Sequence, residues 1–322
     1  MKYVVVGLGS MGKRRIRLLK QVRPEARIMG VDSMEDRRES AAREYEIEVV
    51  ASLEEALECG DIVFVSTSPL SHSSIINQAL QKGCHVFTEL NLVQQGYEEN
   101  IALANQKGCV LFLSSTFLYR KELQHLRENV EHSNNAYVYH VGQYLPDWHP
   151  WESYKDFFVA DKRTNGCREL LAIELPWLCE CFGDVVNYHV VKSKKSQLDL
   201  PYPDTYQIIL EHENGNSGVI CVDILARKAI RSLEVLHENY HYFWKGTPDS
   251  FMKYDVESKQ LVNISCYEAY ENDPRYSENI VENAYMDEII AYLEEIEHGT
   301  QALYSFEKDL KILNLIDHLE EE

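Results

Sequence analysis

Apolar residues follow two regular patterns along the first third of the chain. Strands are predicted at residues 2–6, 27–31, 61–65, 86–87 and 110–113, and the apolar run at 61–65 is typical of a strand that is buried on both faces. Helices are predicted after the first strand, where a segment carries Ile16, Leu18, Leu19 and Val22, and at 35–45, 52–60, 71–82 and 95–107; in 71–82 the apolar residues share one face. With one further strand between residues 31 and 61, this alternation predicts a doubly wound sheet of six parallel strands joined by five helices.

After residue 118 the pattern changes. A helix is predicted over residues 121–131, and extended segments rich in Tyr and Val follow at 136–144, 206–211, 218–226 and 232–236. Asn214-Gly215 between two of these segments indicates a hairpin. Two helices, at 277–297 and 305–319, close the chain. We predict an α/β Rossmann domain over residues 1–118, then an α+β domain over 119–322 with a large open, mainly antiparallel sheet, and the last helices are candidates to pack back on the first domain.

Helices can cover only one face of the predicted second sheet. An open apolar sheet face rarely stays exposed to water. We therefore expect the other face to pack on a partner subunit in a homodimer or homotetramer.

Composition and charge narrow the classes of partner. The chain has 322 residues, of which 45% are hydrophobic, and a net charge of -20, which is unsuited to nucleic acid or an anionic membrane. No apolar run approaches the roughly 20 residues that cross a bilayer. The chain also begins in a strand without a charged-then-apolar leader. We expect a cytoplasmic protein that binds neither nucleic acid nor membrane.

The eight cysteines follow no spacing typical of a metal site or a disulfide framework. Cys179 and Cys181 lie in an apolar helical segment. Cys84 and Cys109 lie beside predicted strands, where a thiol serves as a small apolar side chain. The sequence therefore predicts no metal centre.

The first predicted strand leads into a Gly-x-Gly-x-x-Gly turn that opens a helix. In this motif Gly7 permits a tight turn, Gly9 lets the backbone approach a diphosphate, and Gly12 lets the helix pack close to the strand. The start of the helix, at Ser10 and Met11, offers N–H groups and partial positive charge to an anion. The alternative is a tight turn that binds no ligand.

An acidic residue ends the second predicted strand. Asp32 lies where a carboxylate accepts hydrogen bonds from the adenosine ribose and repels a 2′-phosphate. NAD is therefore the expected cofactor, while Arg37 and Arg38 keep NADP as an alternative.

Ligands of doubly wound sheets bind beyond the carboxyl ends of the strands. This rule adds three segments, 66–72, 88–91 and 114–116, to the glycine turn and the acidic residue. The predicted cofactor-binding residues are Gly7, Gly9, Ser10, Met11, Gly12, Asp32, Ser66, Thr67, Ser68, Pro69, His72, Glu89, Leu90, Asn91 and Thr116.

These motifs resemble the Gfo/Idh/MocA oxidoreductases over nearly the whole chain. The resemblance rests on the glycine turn, on segments 66–72 and 85–92, and on the closing segments 295–299 and 305–310. Segment 143–151 resembles a branch found among nucleotide-sugar and sialic-acid-type biosynthesis gene sets. The resemblance implies hydride transfer between NAD(P) and a hydroxyl or carbonyl carbon of a sugar-like substrate.

The family's usual proton carriers are replaced in this chain. In the family the fifth strand is followed by Glu-Lys-Pro, whose lysine holds the substrate hydroxyl and assists proton transfer. Here the segment reads Glu89-Leu90-Asn91, and leucine cannot move a proton. Branches similar to biliverdin reductase also lack this lysine.

The family also places a histidine, usually with an aspartate one turn earlier, on a helix of the second domain as general acid/base. In the matching helix, 166–177, the histidine position falls on Ile173 or Glu174 and the aspartate position on Leu170 or Glu169.

Glu174 and Glu169 are the first candidates to substitute. They lie about 140° apart around one helix, so both cannot point into one cleft. Glu174 has apolar neighbours in sequence, and burial would raise its pKa toward that of a useful acid. The alternative is a structural ion pair between Glu174 and Arg168 or Arg163.

A loop rich in Trp, Tyr and His enters the second domain. It would line the substrate site with His149 as base and Tyr154 as hydrogen-bond donor, and Lys162 would supply positive charge for an acidic substrate. The alternative is a packed aromatic corner with solvated cations.

The leading interpretation is an NAD(P)-dependent oxidoreductase that acts on a sugar or nucleotide-sugar derivative. One alternative is a dinucleotide-binding protein without redox turnover, either a sensor or a partner subunit. The other is an enzyme that uses bound NAD transiently for epimerisation or elimination.

Overall fold

The computed structural model describes residues 1–58, 60–150, 152–272 and 277–321. The chain forms two compact units. Met1–Thr116 and Tyr285–Leu313 make the first unit, and Phe117–Ala284 with Asn314–Glu322 makes the second.

The first unit contains a six-stranded parallel sheet. Its strands are β1 Lys2–Val6, β2 Arg27–Val31, β3 Glu48–Val50, β4 Ile62–Val65, β5 His85–Thr88 and β6 Leu111–Leu113. Their order across the sheet is β3-β2-β1-β4-β5-β6, and every pair is parallel. The order reverses at β1, which is the arrangement of a Rossmann sheet and confirms the predicted fold class.

The described residues contain helices that link or flank the two sheets. They are α1 Ser10–Val22, α2 Glu35–Tyr45, α3 Leu53–Leu57, α4 Pro69–Gln81, α5 Tyr97–Lys107, α6 Lys121–Asn129, α7 Gly166–Phe182, α8 Glu282–His298 and α9 Phe306–Glu321. Among these, no helix combines the length and the apolar character that a membrane span requires.

Two predicted helix bounds were wrong. The helix predicted from residue 277 begins at Glu282, because tertiary hydrogen bonds hold the backbone before it: Arg120 donates to the Asn279 carbonyl at 2.7 Å, and the Glu282 N–H donates to the Glu271 carbonyl at 3.0 Å. The helix expected to run toward Gly60 ends at Leu57, although Ser52 accepts the predicted capping bond from the Glu55 N–H.

The second unit contains a mainly antiparallel sheet, as predicted, and this sheet has eight strands. Its strands are β7 Ala136–Gly142, β8 Val185–Ser193, β9 Thr205–His212, β10 Ser217–Asp223, β11 Ile230–His237, β12 Tyr240–Trp244, β13 Met252–Asp255 and β14 Gln260–Asn263. Their order is β14-β13-β12-β11-β7-β10-β9-β8, and only β7 and β10 are a parallel pair. Gly215, with φ +83°, turns the chain between β9 and β10 and confirms the predicted hairpin.

The two faces of this sheet differ in their exposure to water. On one face Tyr139 and Ile220 are fully buried, and α7 packs against β9 and β10. On the other face, Val138, Ile209 and Val219 are 50%, 49% and 44% exposed. The period-two alternation of the strands produces this division.

Candidate functional site

The glycine turn joins β1 to α1 and lies at the carboxyl end of the sheet. Gly7 has φ +92°, and its N–H donates to the Val31 carbonyl at 2.8 Å. A side chain at Gly7 would clash, because a Cβ there would lie 2.5 Å from the Ser66 carbonyl oxygen. A Cβ at Gly12 would lie 1.8 Å from the Gly7 carbonyl oxygen. Both glycines are therefore required by close backbone contacts within the turn.

Gly9 differs from the other two glycines. A Cβ at this position would meet only the Arg37 guanidinium, at 3.9 Å. Gly9 is also the N-cap of α1 and has no side chain to occupy the first N–H groups at Ser10 and Met11. The space above Gly9 and these N–H groups fit the diphosphate of a dinucleotide.

Asp32 ends β2 beside the glycine turn. Its Oδ2 accepts the Leu8 N–H at 2.8 Å and its Oδ1 accepts the Met34 N–H at 2.9 Å, so the carboxylate is fixed in place. Each carboxylate oxygen keeps capacity for a further hydrogen bond, as two ribose hydroxyls require. Arg37 is half exposed, with its Nη1 3.9 Å from Asp32 Oδ2, whereas Arg38 donates to the carbonyls of Asp32 and Ser33.

The His72 ring supports the turn after β4 through contacts of both its nitrogens. The His72 ring is only 2% exposed, with Nε2 2.9 Å from the Thr67 carbonyl and Nδ1 2.7 Å from the side chain of Asn91. Burial lowers the pKa of His72, which favours the neutral ring. His72 and Asn91 thus tie two loops together. Pro69 begins α4, and Ser68, its N-cap residue, is exposed.

Glu89 and Thr116 belong to a buried ionic network that the sequence did not predict. Arg15 of α1 contacts Glu89 Oε1 through Nε at 2.6 Å and Glu288 Oε2 through Nη2 at 2.8 Å. The carboxylate of Glu288 also accepts hydrogen bonds from the hydroxyl of Ser114 and the hydroxyl of Thr116. Burial raises the pKa of Glu288, although Arg15 opposes this effect.

This network fixes the carboxyl ends of β5 and β6. A charged Arg15 next to the apolar Ile16 is the only sequence signal for it, and nothing in the spacing indicates Glu288 as its partner. Leu90, which follows Glu89, is half-buried and supplies no polar group.

Glu174 of α7 lies in a buried cluster in which three side chains contact its carboxylate. Its Oε2 accepts hydrogen bonds from the Tyr139 hydroxyl and the Trp177 indole, both at 2.7 Å, and its Oε1 contacts Arg231 Nε at 3.1 Å. The ion pair considered as the alternative therefore exists, but with Arg231. The predicted partners were wrong: Arg168 pairs with Asp317 and Glu320, and Arg163 pairs with Asp161.

Glu169 lies five residues earlier on the same helix and differs from Glu174 in its hydrogen bonding. Its Oε2 is buried and has no hydrogen-bond partner among the described residues. Burial raises the pKa of Glu169 to about 8. Near neutral pH this side chain therefore both holds and releases a proton, as a general acid or base requires.

The three loop candidates, His149, Tyr154 and Lys162, have different surroundings. His149 Nδ1 is 2.5 Å from Glu152 Oε1 and its ring packs on Phe157, so part of the predicted aromatic corner is present. The Tyr154 hydroxyl accepts the Asp199 N–H at 3.2 Å, and Lys162 is exposed. Burial raises the pKa of Tyr202, and Glu169 and Tyr154 each add to this effect electrostatically. Trp151 lies outside the described residues.

The glycine turn, Asp32 and the six-stranded sheet define a Rossmann domain of the dinucleotide-binding class. Residues 1–115 match the model of an oxidoreductase family with an NAD-binding Rossmann fold, GFO_IDH_MocA. This match supports the resemblance to the Gfo/Idh/MocA oxidoreductases over residues 1–115 and identifies that segment as an NAD-binding Rossmann domain.

Comparison with individual proteins gives one relative in sequence and several in fold. The chain is 30% identical to human biliverdin reductase A over 131 residues, which are 39% of this chain and 44% of that protein. Its fold is similar to UDP-N-acetylglucosamine 3-dehydrogenase from Acidithiobacillus ferrooxidans, with TM-score 0.77, 15% identity and coverage of 100% and 97% of the two chains. It is also similar to biliverdin reductase from Synechocystis sp. PCC 6803, in complex with biliverdin and NADP+, with TM-score 0.74, 16% identity and coverage of 99% and 98%.

Proposed function

We propose that the protein is an NAD(P)-dependent oxidoreductase that transfers hydride to or from a sugar or nucleotide-sugar-like substrate. The observation that carries the proposal is the open space above Gly9, next to a fixed Asp32 carboxylate, in a domain of an NAD-binding family. The fold similarity to a UDP-sugar dehydrogenase supports a sugar-like substrate.

In this proposal the residues of the first unit hold the cofactor, which supplies the hydride chemistry when bound. The N–H groups at the start of α1 bind its diphosphate and Asp32 binds the adenosine ribose. The exposed Ser68 and the Thr67 hydroxyl lie at the turn that His72 supports. Glu89 and Thr116 position this edge of the sheet through the network around Arg15.

We assign the proton-carrying role to Glu169 and a structural role to Glu174. A carboxyl group with a pKa of about 8, whose Oε2 has no hydrogen-bond partner in the described parts of the chain, can give a proton to a substrate oxygen or take one from it. Glu174 is held in place by three donors, Tyr139, Trp177 and Arg231, which suits a structural role. Tyr154 is a candidate hydrogen-bond donor, and His149 and Lys162 remain candidates for substrate contact.

A second candidate substrate is a linear tetrapyrrole. The 30% identity with human biliverdin reductase A favours it, and so does the leucine at position 90, since branches similar to that enzyme lack the lysine as well. The relative matches less than half of its own length, so its substrate is carried over only as a hypothesis.

Reduced-nicotinamide absorbance separates these hypotheses. The full chain is mixed with NADH or NADPH and then with oxidised UDP-sugars, keto-inositols or biliverdin. Oxidation by a sugar ketone supports the leading proposal, and oxidation by biliverdin alone supports the second candidate. NADH binding in calorimetry without turnover on any substrate would instead indicate a binding protein, and product formation without net oxidation would indicate transient use of bound NAD.

The open face of the second sheet is proposed to pack on a second copy of this chain. Val219 lies opposite Val138 on one neighbouring strand and Ile209 on the other, so the three exposed side chains form one continuous apolar row. Such a row is typical of a subunit interface, because its burial removes apolar area from water.

A further inference from the structure

Three side chains with metal-binding chemistry meet on the open face of the second sheet. His140 belongs to β7, and Cys221 and Asp223 belong to β10. The two strands are parallel, and His140 lies directly opposite Cys221 in the register. An imidazole nitrogen, the thiol sulfur and a carboxylate oxygen from these residues all lie within 4.8 Å of one another.

The carboxylate of this cluster is held in a fixed orientation. Asp223 Oδ1 accepts the N–H groups of Leu225 at 2.8 Å and Ala226 at 2.7 Å. Its Oδ2 is directed to His140 Nε2, at 2.7 Å. Outer hydrogen bonds of this kind orient the ligands of metal sites.

A glycine opposite Asp223 leaves room for its carboxylate. Asp223 lies opposite Gly142 in the register, and a Cβ at Gly142 would come within 2.5 Å of the Asp223 carboxylate. The glycine thus leaves the space in which the carboxylate reaches His140. Asp223 is mostly buried, whereas His140 and Cys221 are partly exposed, so an ion can approach from solvent.

The cluster also attracts positive charge. The Asp223 carboxylate, which lies 2.7 Å from His140 Nε2, brings negative charge to the cluster. A divalent cation bound there would interact with this carboxylate directly, and metal binding to imidazole and thiol ligands releases their protons to solvent.

We propose that His140, Cys221 and Asp223 form a binding site for a divalent cation such as Zn²⁺, with three protein ligands and a fourth position for a water molecule. One nitrogen, one sulfur and one oxygen ligand are a donor set that suits Zn²⁺, because this ion accepts all three and prefers four-coordinate geometry. The Mg²⁺ and Ca²⁺ ions prefer oxygen ligands alone.

The test uses the metal-free full chain, titrated with Zn²⁺ in competition with a chromophoric chelator. We expect wild-type protein to bind the ion, and Cys221→Ser and His140→Gln to weaken binding by about 100-fold or more, since loss of an outer-shell partner alone costs about 10–100-fold. His189→Gln is the matched control, because His189 lies on the same sheet face, opposite Ile209. This variant should bind Zn²⁺ as wild type does.

A second measurement distinguishes this site from adventitious binding to the other cysteines. Co²⁺ bound by Cys221 gives a thiolate-to-metal charge-transfer band, which Cys221→Ser should remove while circular dichroism shows an unchanged fold. Zn²⁺ affinity equal in wild type and Cys221→Ser, or no binding by wild type, would overturn the proposal and leave the cluster as a His140–Asp223 ion pair. Neither measurement involves a dinucleotide, so the result is independent of the proposed redox function.

Discussion

At the scale of single residues, two carboxylates on α7 show how environment assigns different roles to one residue type. Glu174 is fully buried but receives three donors, including Arg231, whereas Glu169 Oε2 is buried without a partner among the described residues. Burial without a partner raises the pKa of Glu169 and suits it to proton transfer, whereas the three donors around Glu174 give that carboxylate a structural role.

The first prediction concerns Glu174. We expect Glu174→Gln to lower the free energy of unfolding by about 3 kcal/mol, because Arg231 keeps its charge in a buried cluster and loses its anionic partner. Thermal or chemical unfolding followed by circular dichroism measures this loss. Glu169→Gln is the matched control on the same helix, and equal losses in the two variants at pH 7 would contradict the assignment.

The second prediction concerns the pH dependence of stability at Glu169. Its pKa is raised to about 8 in the folded protein and has the ordinary value near 4.5 in the unfolded chain. Between these values the folded state binds more protons, so this residue makes stability fall as pH rises from about 5 to 8.

Removal of the titrating group should remove that fall. The melting temperature of Glu169→Gln, measured from pH 5 to pH 8, should decline less than that of wild type. Parallel curves for the two proteins would show that Glu169 is not protonated in the folded state.

At the scale of elements, the β1–α1 unit illustrates how one local motif combines structural and binding requirements. Gly7 and Gly12 are needed because backbone atoms approach each other, and Gly9 is needed only if a ligand fills the space above it. The motif in the sequence assigns a different role to each glycine. The structure adds the contact that each Cβ would make.

The third prediction uses this difference. Gly9→Ala should leave the melting temperature unchanged and weaken NADH binding by about tenfold or more, which corresponds to at least about 1.4 kcal/mol. Gly12→Ala should destabilise the fold itself, since overpacking costs about 1–3 kcal/mol. Calorimetric titration with NADH and thermal unfolding measure the two effects. Undiminished NADH affinity in Gly9→Ala would refute the placement of the diphosphate.

Element prediction from sequence succeeded where the pattern was local and failed where long-range contacts decide. The helix predicted over residues 35–45 has those bounds in the structure, as α2. The predicted start of α8 was wrong because tertiary hydrogen bonds hold the backbone at this end: Arg120 donates to the Asn279 carbonyl, and the Glu282 N–H donates to the Glu271 carbonyl. Strands β8 and β12 to β14 were not predicted.

At the scale of the whole molecule, the two sheets differ in how far their apolar faces are buried. Strands of the parallel sheet, such as β4, are buried on both faces, which their continuous apolar sequence requires. The second sheet keeps one face partly exposed, with Val138, Val219 and Ile209 in a row. This exposed row is the basis of the proposed self-association.

The fourth prediction tests that association. Val219→Asp should reduce the molar mass measured by size-exclusion chromatography with light scattering to that of a single chain, because a buried charge opposes subunit contact. Val256→Asp is the control, since Val256 is 66% exposed in the turn after β13 and away from this row. An unchanged mass for Val219→Asp would exclude this face as the interface.

The sequence by itself determined the fold class and the nucleotide-binding turn, because both depend on patterns within a few tens of residues. The tertiary structure alone decided the partner of Glu174, the network joining Arg15 to Glu288, and the meeting of His140 with Cys221. These contacts join residues that are distant in the chain, and no local pattern specifies which distant side chain will face which. Packing brings them together, and it sets the burial and the charge from which their chemistry follows.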